Sequence, residues 1–304
     1  MKGNDEMSEQ TRSGFVTFVG RPNVGKSTLT NALVGEKIAI TSAKPQTTRR
    51  AIRGIVNRPE GQLVIVDTPG IHKPRTLLGE RLNHLVEQVL GDVDVIAFCV
   101  PATEKVGPGD RRIAASLDGY ARAKKIAIVT KTDAAGRDEI TERLMEVDAL
   151  REDWAAVIPL SALTRDQLEV LCDEVLSLMP EGPALYAEGI TTDESEEDRI
   201  AEIIREAALE GVRDELPHSI AVVIDDIAPR ENSDLTDVHA QIVVERDSQK
   251  AIIIGHKGSR LADVGKRART GIEELLGTRV FLGLHVKVAK EWQRDPKQLG
   301  RLGF

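Results

Sequence analysis

Short apolar runs rich in β-branched residues recur through the first 180 residues. They are FVTFVG (15–20), LVIVD (63–67), DVIAFCV (94–100), KIAIVT (125–130) and AVIPL (156–160). Helical patterns such as RLNHLVEQVL and DEITERLMEVDAL fall between them. Continuous apolar strands alternating with helices predict a mainly parallel sheet covered on both faces, an α/β fold. The pattern then changes. PEGPALYAEGITTDESEEDR, at 180–199, is rich in Pro, Gly and acids and reads as a linker. Beyond it, Ile200, Ile203, Ile204, Ala207, Ala208 and Val212 share one helical face. Two strand-like runs follow, SIAVVIDDI (219–227) and DVHAQIVVE (237–245). After them come a helix SQKAIII, the joint GHKG, and a longer helix SRLADVGKRARTGIEELLG. In RVFLGLHVKVAK, Val280, Leu282, Leu284, Val286 and Val288 alternate onto one face of a last strand. The order αββααβ predicts a second, α+β domain.

Composition changes this picture in three places. The chain of 304 residues suits two domains, and its 3% aromatic content leaves the cores to Val, Ile, Leu and Ala. The net charge of −8 is unevenly spread: residues 245–304 hold 13 Lys+Arg against 7 Asp+Glu, and residues 1–244 hold 28 against 42. An acidic body with a basic tail suggests an anionic partner for the tail. Cys99 and Cys172 each sit in an apolar run and read as buried free thiols. No apolar run approaches the ~20 residues that span a bilayer. Residues 1–13 read as a polar, disordered tail rather than a signal peptide.

GRPNVGKS, Gly20 to Ser27, fits G-x-x-x-x-G-K-[ST] between a strand and a helix. In that context the backbone N–H groups of Gly20, Arg21, Pro22's neighbours, Asn23, Val24 and Gly25 wrap phosphates, and the helix N-terminus at Thr28 adds positive potential. Lys26 reaches the β- and γ-phosphates, and the Ser27 hydroxyl ligates Mg²⁺. DTPG (Asp67, Thr68, Pro69, Gly70) ends another strand: Asp67 suits the Mg²⁺ shell and the Gly70 N–H suits the γ-phosphate. TKTD (130–133) ends a third; Asp133 can accept both N–H groups of the guanine Watson–Crick edge, with Thr130 before it and Lys131 along the base. At the next strand end, Ser161 precedes Ala162, whose N–H suits guanine O6. All lie where open α/β sheets bind ligands. The polar stretch ITSAKPQTTRR (40–50) reads as a switch loop in which Thr47 or Thr48 supplies a second hydroxyl to Mg²⁺. In the tail, Gly255, His256, Lys257 and Gly258 form a GxxG joint of the kind that clamps about four nucleotides, with Arg260 and Lys266 adding charge.

These motifs resemble the Era family of GTPases: QTTRR, DTPGIHKP, the Asn of GRPNVGKS and the ending VKVAKEWQRDPKQLGRLGF all fit it, over nearly the whole chain from Gly14. The resemblance implies a P-loop GTPase domain at 14–180, a linker at 181–198 and a type II KH domain at 199–304. It implies Thr48 as the switch ligand to Mg²⁺, and Asn23 beside a monovalent cation, so that K⁺ is a candidate activator. Lys26, Asn23 and Gly70 are then the catalytic residues. It implies GTP and GDP as ligands, and binding to the 3′ end of small-subunit 16S ribosomal RNA and the 30S subunit during its maturation. A cytoplasmic, bacterial-type location with peripheral inner-membrane association is expected, and no DNA. Two positions depart from the common pattern. Thr130 stands where an Asn is usual, so fewer hydrogen bonds to guanine and to the cradle are expected; Ile71 follows DTPG and cannot orient water by a hydrogen bond. Alternatives are a related GTPase acting through protein partners and an RNA-binding scaffold with a degenerate pocket.

Overall fold

A computed structural model describes residues 11–41, 48–70, 74–212, 216–231 and 233–304. They divide into two compact units. The first comprises residues up to Ala39, Ala51–Ile71 and Leu85–Asp193; the second comprises Ile40–Arg50, His72–His84 and Glu194–Phe304.

In the first unit, strands β1 (Arg12–Val19), β2 (Ile52–Arg58), β3 (Gly61–Asp67), β4 (Val95–Pro101), β5 (Lys124–Thr130) and β6 (Val157–Pro159) form one sheet in the order β2-β3-β1-β4-β5-β6. All neighbours run parallel except β2 and β3. Helices α1 (Lys26–Val34), α3 (Pro108–Ser116), α4 (Arg137–Asp148) and α5 (Leu168–Leu178) belong to this unit, and α2 (Leu77–Asp92) ends in it. Along β4, Val95, Ala97 and Cys99 pack into one core layer with Leu29, Leu171 and Val175. Ile96, Phe98 and Val100 pack into the other, with Val86, Ile113 and Val147. Burial of both faces is why these strands read as unbroken apolar runs. Both cysteines are buried free thiols, as expected.

The antiparallel strand β2 was not legible as a strand. Residues 181–193, expected as a linker, run back along it. The Ile55 N–H donates to Thr191 O at 2.8 Å, and Thr192 bridges Gly54. The buried Gln62 carboxamide oxygen accepts from the N–H groups of Leu185 and Tyr186.

The second unit holds α6 (Glu196–Leu209), β7 (Ala221–Pro229), β8 (Leu235–Val244), α7 (Asp247–Ile254), α8 (Ser259–Leu276), β9 (Arg279–Val288) and α9 (Pro296–Arg301). Its sheet has the order β7-β8-β9, with β7 antiparallel and β9 parallel to β8. The αββααβ order is therefore present, followed by α9. Helix α6 starts where the Ser195 hydroxyl accepts from the Asp198 N–H, with three acids in its first turn favouring the helix dipole. Its Ile200, Ile204 and Ala208 pack with Val238, Ala240, Ile242, Val264 and Ile272.

A smaller cluster joins Leu78 and Leu82 to Ala221, Val243, Trp292 and Leu299. Trp292 is fully buried, stacks on Phe304 at 5.8 Å between centroids, and donates its indole N–H to Ser219 O. The guanidinium of Arg49 lies 5.8 Å from the Trp292 ring and 6.0 Å from the Phe304 ring, and donates to Ile220 O at 2.6 Å. Burial pushes Arg49 down to about 9, with Arg205 adding repulsion against the pull of Glu202 and Glu245.

Trp292→Ala removes the largest side chain of that cluster. It is expected to destabilise the second unit by about 3–5 kcal/mol in urea unfolding, whereas Ile252→Ala, at a position 51% exposed, stays within about 0.5 kcal/mol. Equal effects at the two positions would contradict the packing described.

Candidate functional site

The cradle follows β1 and opens α1. Gly20 has φ 157°, and a Cβ there would lie 2.5 Å from the Cys99 carbonyl oxygen, so only glycine lets the chain turn against β4. Gly25 (φ 102°) and Asn23 (φ 65°) complete the left-handed turns of the loop. Its carbonyls are turned onto specific donors. Lys26 Nζ donates to Gly20 O at 3.1 Å and to Arg21 O at 3.0 Å. Lys131 Nζ donates to Asn23 O at 2.6 Å, and Thr130 Oγ1 donates to Val24 O at 2.6 Å. Thr130, where fewer hydrogen bonds to guanine and to the cradle are expected, keeps this one bond to the cradle.

Lys26 is buried, which pushes its ammonium below the usual lysine range, while Asp67 and then Cys99 pull it up. A buried cation with few counter-charges suits a polyanionic ligand. Gly70 lies beside it: a Cβ at that position would be 3.7 Å from Lys26 Nζ and 3.6 Å from Pro22 Cγ. Asp67 is fully buried, with Thr68 and Pro69 buried behind it, and accepts from the Ser27 hydroxyl at 2.8 Å. A hydroxyl and a carboxylate at the cradle are hard oxygen donors, the chemistry Mg²⁺ takes. Thr28 continues α1 beyond Ser27. Thr48 is buried in the second unit; Thr47 and Ile71 lie outside the described residues.

Arg21 contributes backbone to the cradle, but its guanidinium is directed elsewhere. It pairs with the buried Asp110 at 2.7 Å and with Glu104 at 2.9 Å, and its pKa is raised, first by the Asp110 hydrogen bond. Asp110 and Glu104 are residues that sequence reasoning missed; nothing in VGPGD signals a partner 89 positions earlier. On the base side, Asp133 is exposed and accepts from the Ser161 hydroxyl at 2.5 Å. Ser161 Oγ in turn accepts from the Thr164 N–H, so the loop through Ala162 and the carboxylate are held together.

In the second unit, Gly255 (φ 72°) and Gly258 (φ 83°) bracket the joint between α7 and α8. A Cβ at Gly255 would lie 2.6 Å from Arg260 Cβ, while Gly258 faces open space. His256 and Lys257 between them are exposed. From Gly258 an open groove of about 920 Å³ runs along α8 and β9, lined by Leu261, Gly265, Leu284, Lys266 and Arg269. Apolar floor and basic rim suit bases and phosphates together. Arg260, expected to face nucleic acid, does something else: its guanidinium donates to Ala208 O and Glu210 O, closing the C-terminal end of α6.

A phosphate cradle, an acidic strand end and an aspartate-bearing strand end within one mainly parallel sheet, joined in one chain to an αββααβ unit with a GxxG joint, define a P-loop GTPase carrying a KH domain. Residues 15–132 match the 50S ribosome-binding GTPase family, and residues 215–293 match the KH domain family. The GTPase Era of Streptomyces coelicolor is 61% identical over 301 residues, spanning 96% of this chain and 95% of the relative. That of Mycolicibacterium smegmatis is 59% identical over 295 residues, spanning 96% and 99%. A crystal structure of Era in complex with MgGDPNP and nucleotides 1506–1542 of 16S ribosomal RNA superposes with a TM-score of 0.92 at 38% identity, covering 96% of this chain and 99% of that one. An Aquifex aeolicus Era variant bound to GDP·AlF4− gives 0.92 at 37%, with the same coverage. The chain belongs to the Era family of GTPases, and it hydrolyses GTP.

Ser161→Ala removes the hydroxyl that steers Asp133. A hydrogen bond to a charged group contributes about 1.5–3 kcal/mol, so GDP affinity is expected to fall roughly tenfold or more in equilibrium titration. Unchanged affinity would mean that Asp133 is oriented without it.

Proposed function

We propose that this GTPase is a switch whose nucleotide state governs its grip on single-stranded ribosomal RNA near the 3′ end of the small-subunit 16S molecule. It thereby assists maturation of the 30S subunit in the bacterial cytoplasm. The observation that carries this reading is the groove along α8: a glycine-bracketed joint, an apolar floor and a basic rim. It lies in a chain whose relative, matched at a TM-score of 0.92, holds nucleotides 1506–1542 of 16S ribosomal RNA.

On the nucleotide side, Gly20–Thr28 wraps the phosphates and Lys26 exchanges the carbonyls of Gly20 and Arg21 for phosphate oxygens. Ser27 and Asp67 hold Mg²⁺, with Thr48 as the switch hydroxyl; when bound, the ion neutralises charge between the terminal phosphates. The Gly70 N–H and the cradle amides stabilise charge on the γ-phosphoryl group as water displaces GDP. Asn23 seats a monovalent cation, K⁺, beside the phosphates. No side chain serves as general base; the work is positional and electrostatic. Asp133 and the Ala162 N–H select guanine.

On the RNA side, Gly255, His256, Lys257 and Gly258 clamp the sugar–phosphate chain, and Lys266 and Arg269 draw in the strand. Coupling draws support from the switch segments: Ile40–Arg50 and His72–His84 cluster with the second unit rather than with the cradle. Ordering those segments around a γ-phosphate therefore changes what the second unit holds. No helix among the described residues is long and apolar enough to cross a membrane.

The test is a GTPase assay in K⁺ and in Na⁺, with and without an RNA matching the 3′ end of 16S ribosomal RNA, beside RNA titrations with a GTP analogue, with GDP and without nucleotide. K⁺ and the RNA are expected to raise turnover, and RNA affinity is expected to depend on nucleotide. Identical RNA affinity in all three states would sink the coupling. Gly258→Asp is expected to abolish RNA binding by placing a carboxylate against phosphate, with GTP hydrolysis in the absence of RNA retained. Lys266→Ala should weaken RNA binding without loss of stability and lower the slope of log K against log salt by roughly 0.7. Arg260→Leu should instead lower the melting temperature of the second unit.

A further inference from the structure

Thr130 ends β5 and is 3% exposed. Its hydroxyl donates to the Val24 carbonyl at 2.6 Å, and the Val100 carbonyl, at 3.4 Å, competes for the same proton. A threonine hydroxyl has one proton and no other donor. The adjacent Lys131 ammonium is held at 2.6 Å on Asn23 O, the next carbonyl of the same loop. Thr130 and Lys131, the first two residues of the motif that ends in Asp133, thus turn their donors toward the cradle.

Guanine offers two kinds of edge. Its Watson–Crick side carries the N1–H and N2–H donors, which need an acceptor; N7 and O6 are acceptors and need donors. Asp133 is the acceptor for the first, and Ala162 N–H is the donor suited to O6. A carboxamide at position 130 has two N–H donors and can serve the cradle and the base together. A hydroxyl whose proton already goes to Val24 can serve only the cradle. N7 is common to adenine and guanine, so leaving it unread lowers affinity without blurring the choice of base.

We propose that Thr130 is a positioning residue that ties the guanine strand to the phosphate cradle and leaves N7 of the purine unread, so that guanine is recognised through its Watson–Crick edge and O6 alone. The proposal rests on the guanine reading at Asp133. It assigns to this chain a tolerance for guanine nucleotides altered at position 7.

The experiment is competitive equilibrium titration of the full-length protein with GDP, 7-deaza-GDP and inosine diphosphate, for the wild type and for Thr130→Asn, Thr130→Ser and Thr130→Val. The wild type is expected to bind GDP and 7-deaza-GDP within about twofold of each other, and inosine diphosphate, which lacks the N2 amine, about tenfold or more weakly. Thr130→Asn should tighten GDP alone and open a ratio of about fivefold or more over 7-deaza-GDP. Thr130→Ser should behave as the wild type, and Thr130→Val should weaken both guanine ligands equally, by about tenfold, as the cradle loses its tie. A wild-type preference of fivefold or more for GDP over 7-deaza-GDP overturns the proposal, as does a Thr130→Asn protein with no new preference. Should Thr130→Val fail to fold, the Ser and Asn variants still decide. Inosine diphosphate binding as well as GDP would overturn the reading at Asp133 itself, a different failure from that at N7.

Discussion

Each peptide group points its N–H and its C=O in opposite directions, and the nucleotide site depends on that constraint. If the carbonyls of a loop are pinned outward, its amides must face inward. Here the carbonyl of Asn23 is held by Lys131 and that of Val24 by Thr130, while those of Gly20 and Arg21 rest on Lys26 until phosphate takes its ammonium. The carbonyl of Gly25 begins the hydrogen bonding of α1 through the Leu29 N–H. The loop has no regular secondary structure of its own, yet the carbonyls of Asn23, Val24 and Gly25 are each fixed by a donor. That is the preorganisation on which binding of a triphosphate and stabilisation of its transition state both draw. The donors that nucleotide leaves in place come from the end of β5, so that strand end and the phosphate loop are one mechanical object.

The second unit is organised differently. Its sheet is backed by α6, α7 and α8, and its groove is bounded by α8 and β9. The glycines at 255 and 258 are needed for unlike reasons: the first because Arg260 is against it, the second because its φ of 83° is a left-handed conformation that side chains rarely adopt. Arg49 shares this unit, its guanidinium beside the stacked rings of Trp292 and Phe304, and Leu78 and Leu82 pack in the same cluster. Described residues of segments that read as nucleotide switches therefore pack in the cluster around Trp292.

Much of this was legible in the sequence because the signals are local. Strand, glycine loop, lysine and helix adjoin one another in GRPNVGKST, and the αββααβ order follows from periodicity. What escaped has non-local causes. β2 lies at the antiparallel side of the sheet, and Arg53 and Gly54 interrupt its apolar pattern, so it resembles the polar stretch before it. The partner of Arg21 is set by the packing of α3, and the role of Arg260 by where α6 ends; neither distance is written in the chain. Thr130 was legible as a departure, but its consequence was not. Whether a hydroxyl loses or keeps the cradle contact depends on a 2.6 Å separation that only coordinates supply.

The segment that runs back along β2 has a further effect. A six-stranded sheet ends in two unpaired edges, each a template on which another extended chain can add. On one side the final strand, β6, has three residues, too short to recruit a partner. On the other, Thr191 and Thr192 occupy the rim of β2, and Arg53 and Tyr186 fasten Asp193 beside them. The connector that leads toward the second unit is thus also a guard rail. It protects a Val- and Ile-rich sheet from edge-to-edge aggregation, and changes that loosen it are expected to be felt first as poor solubility rather than as lost activity.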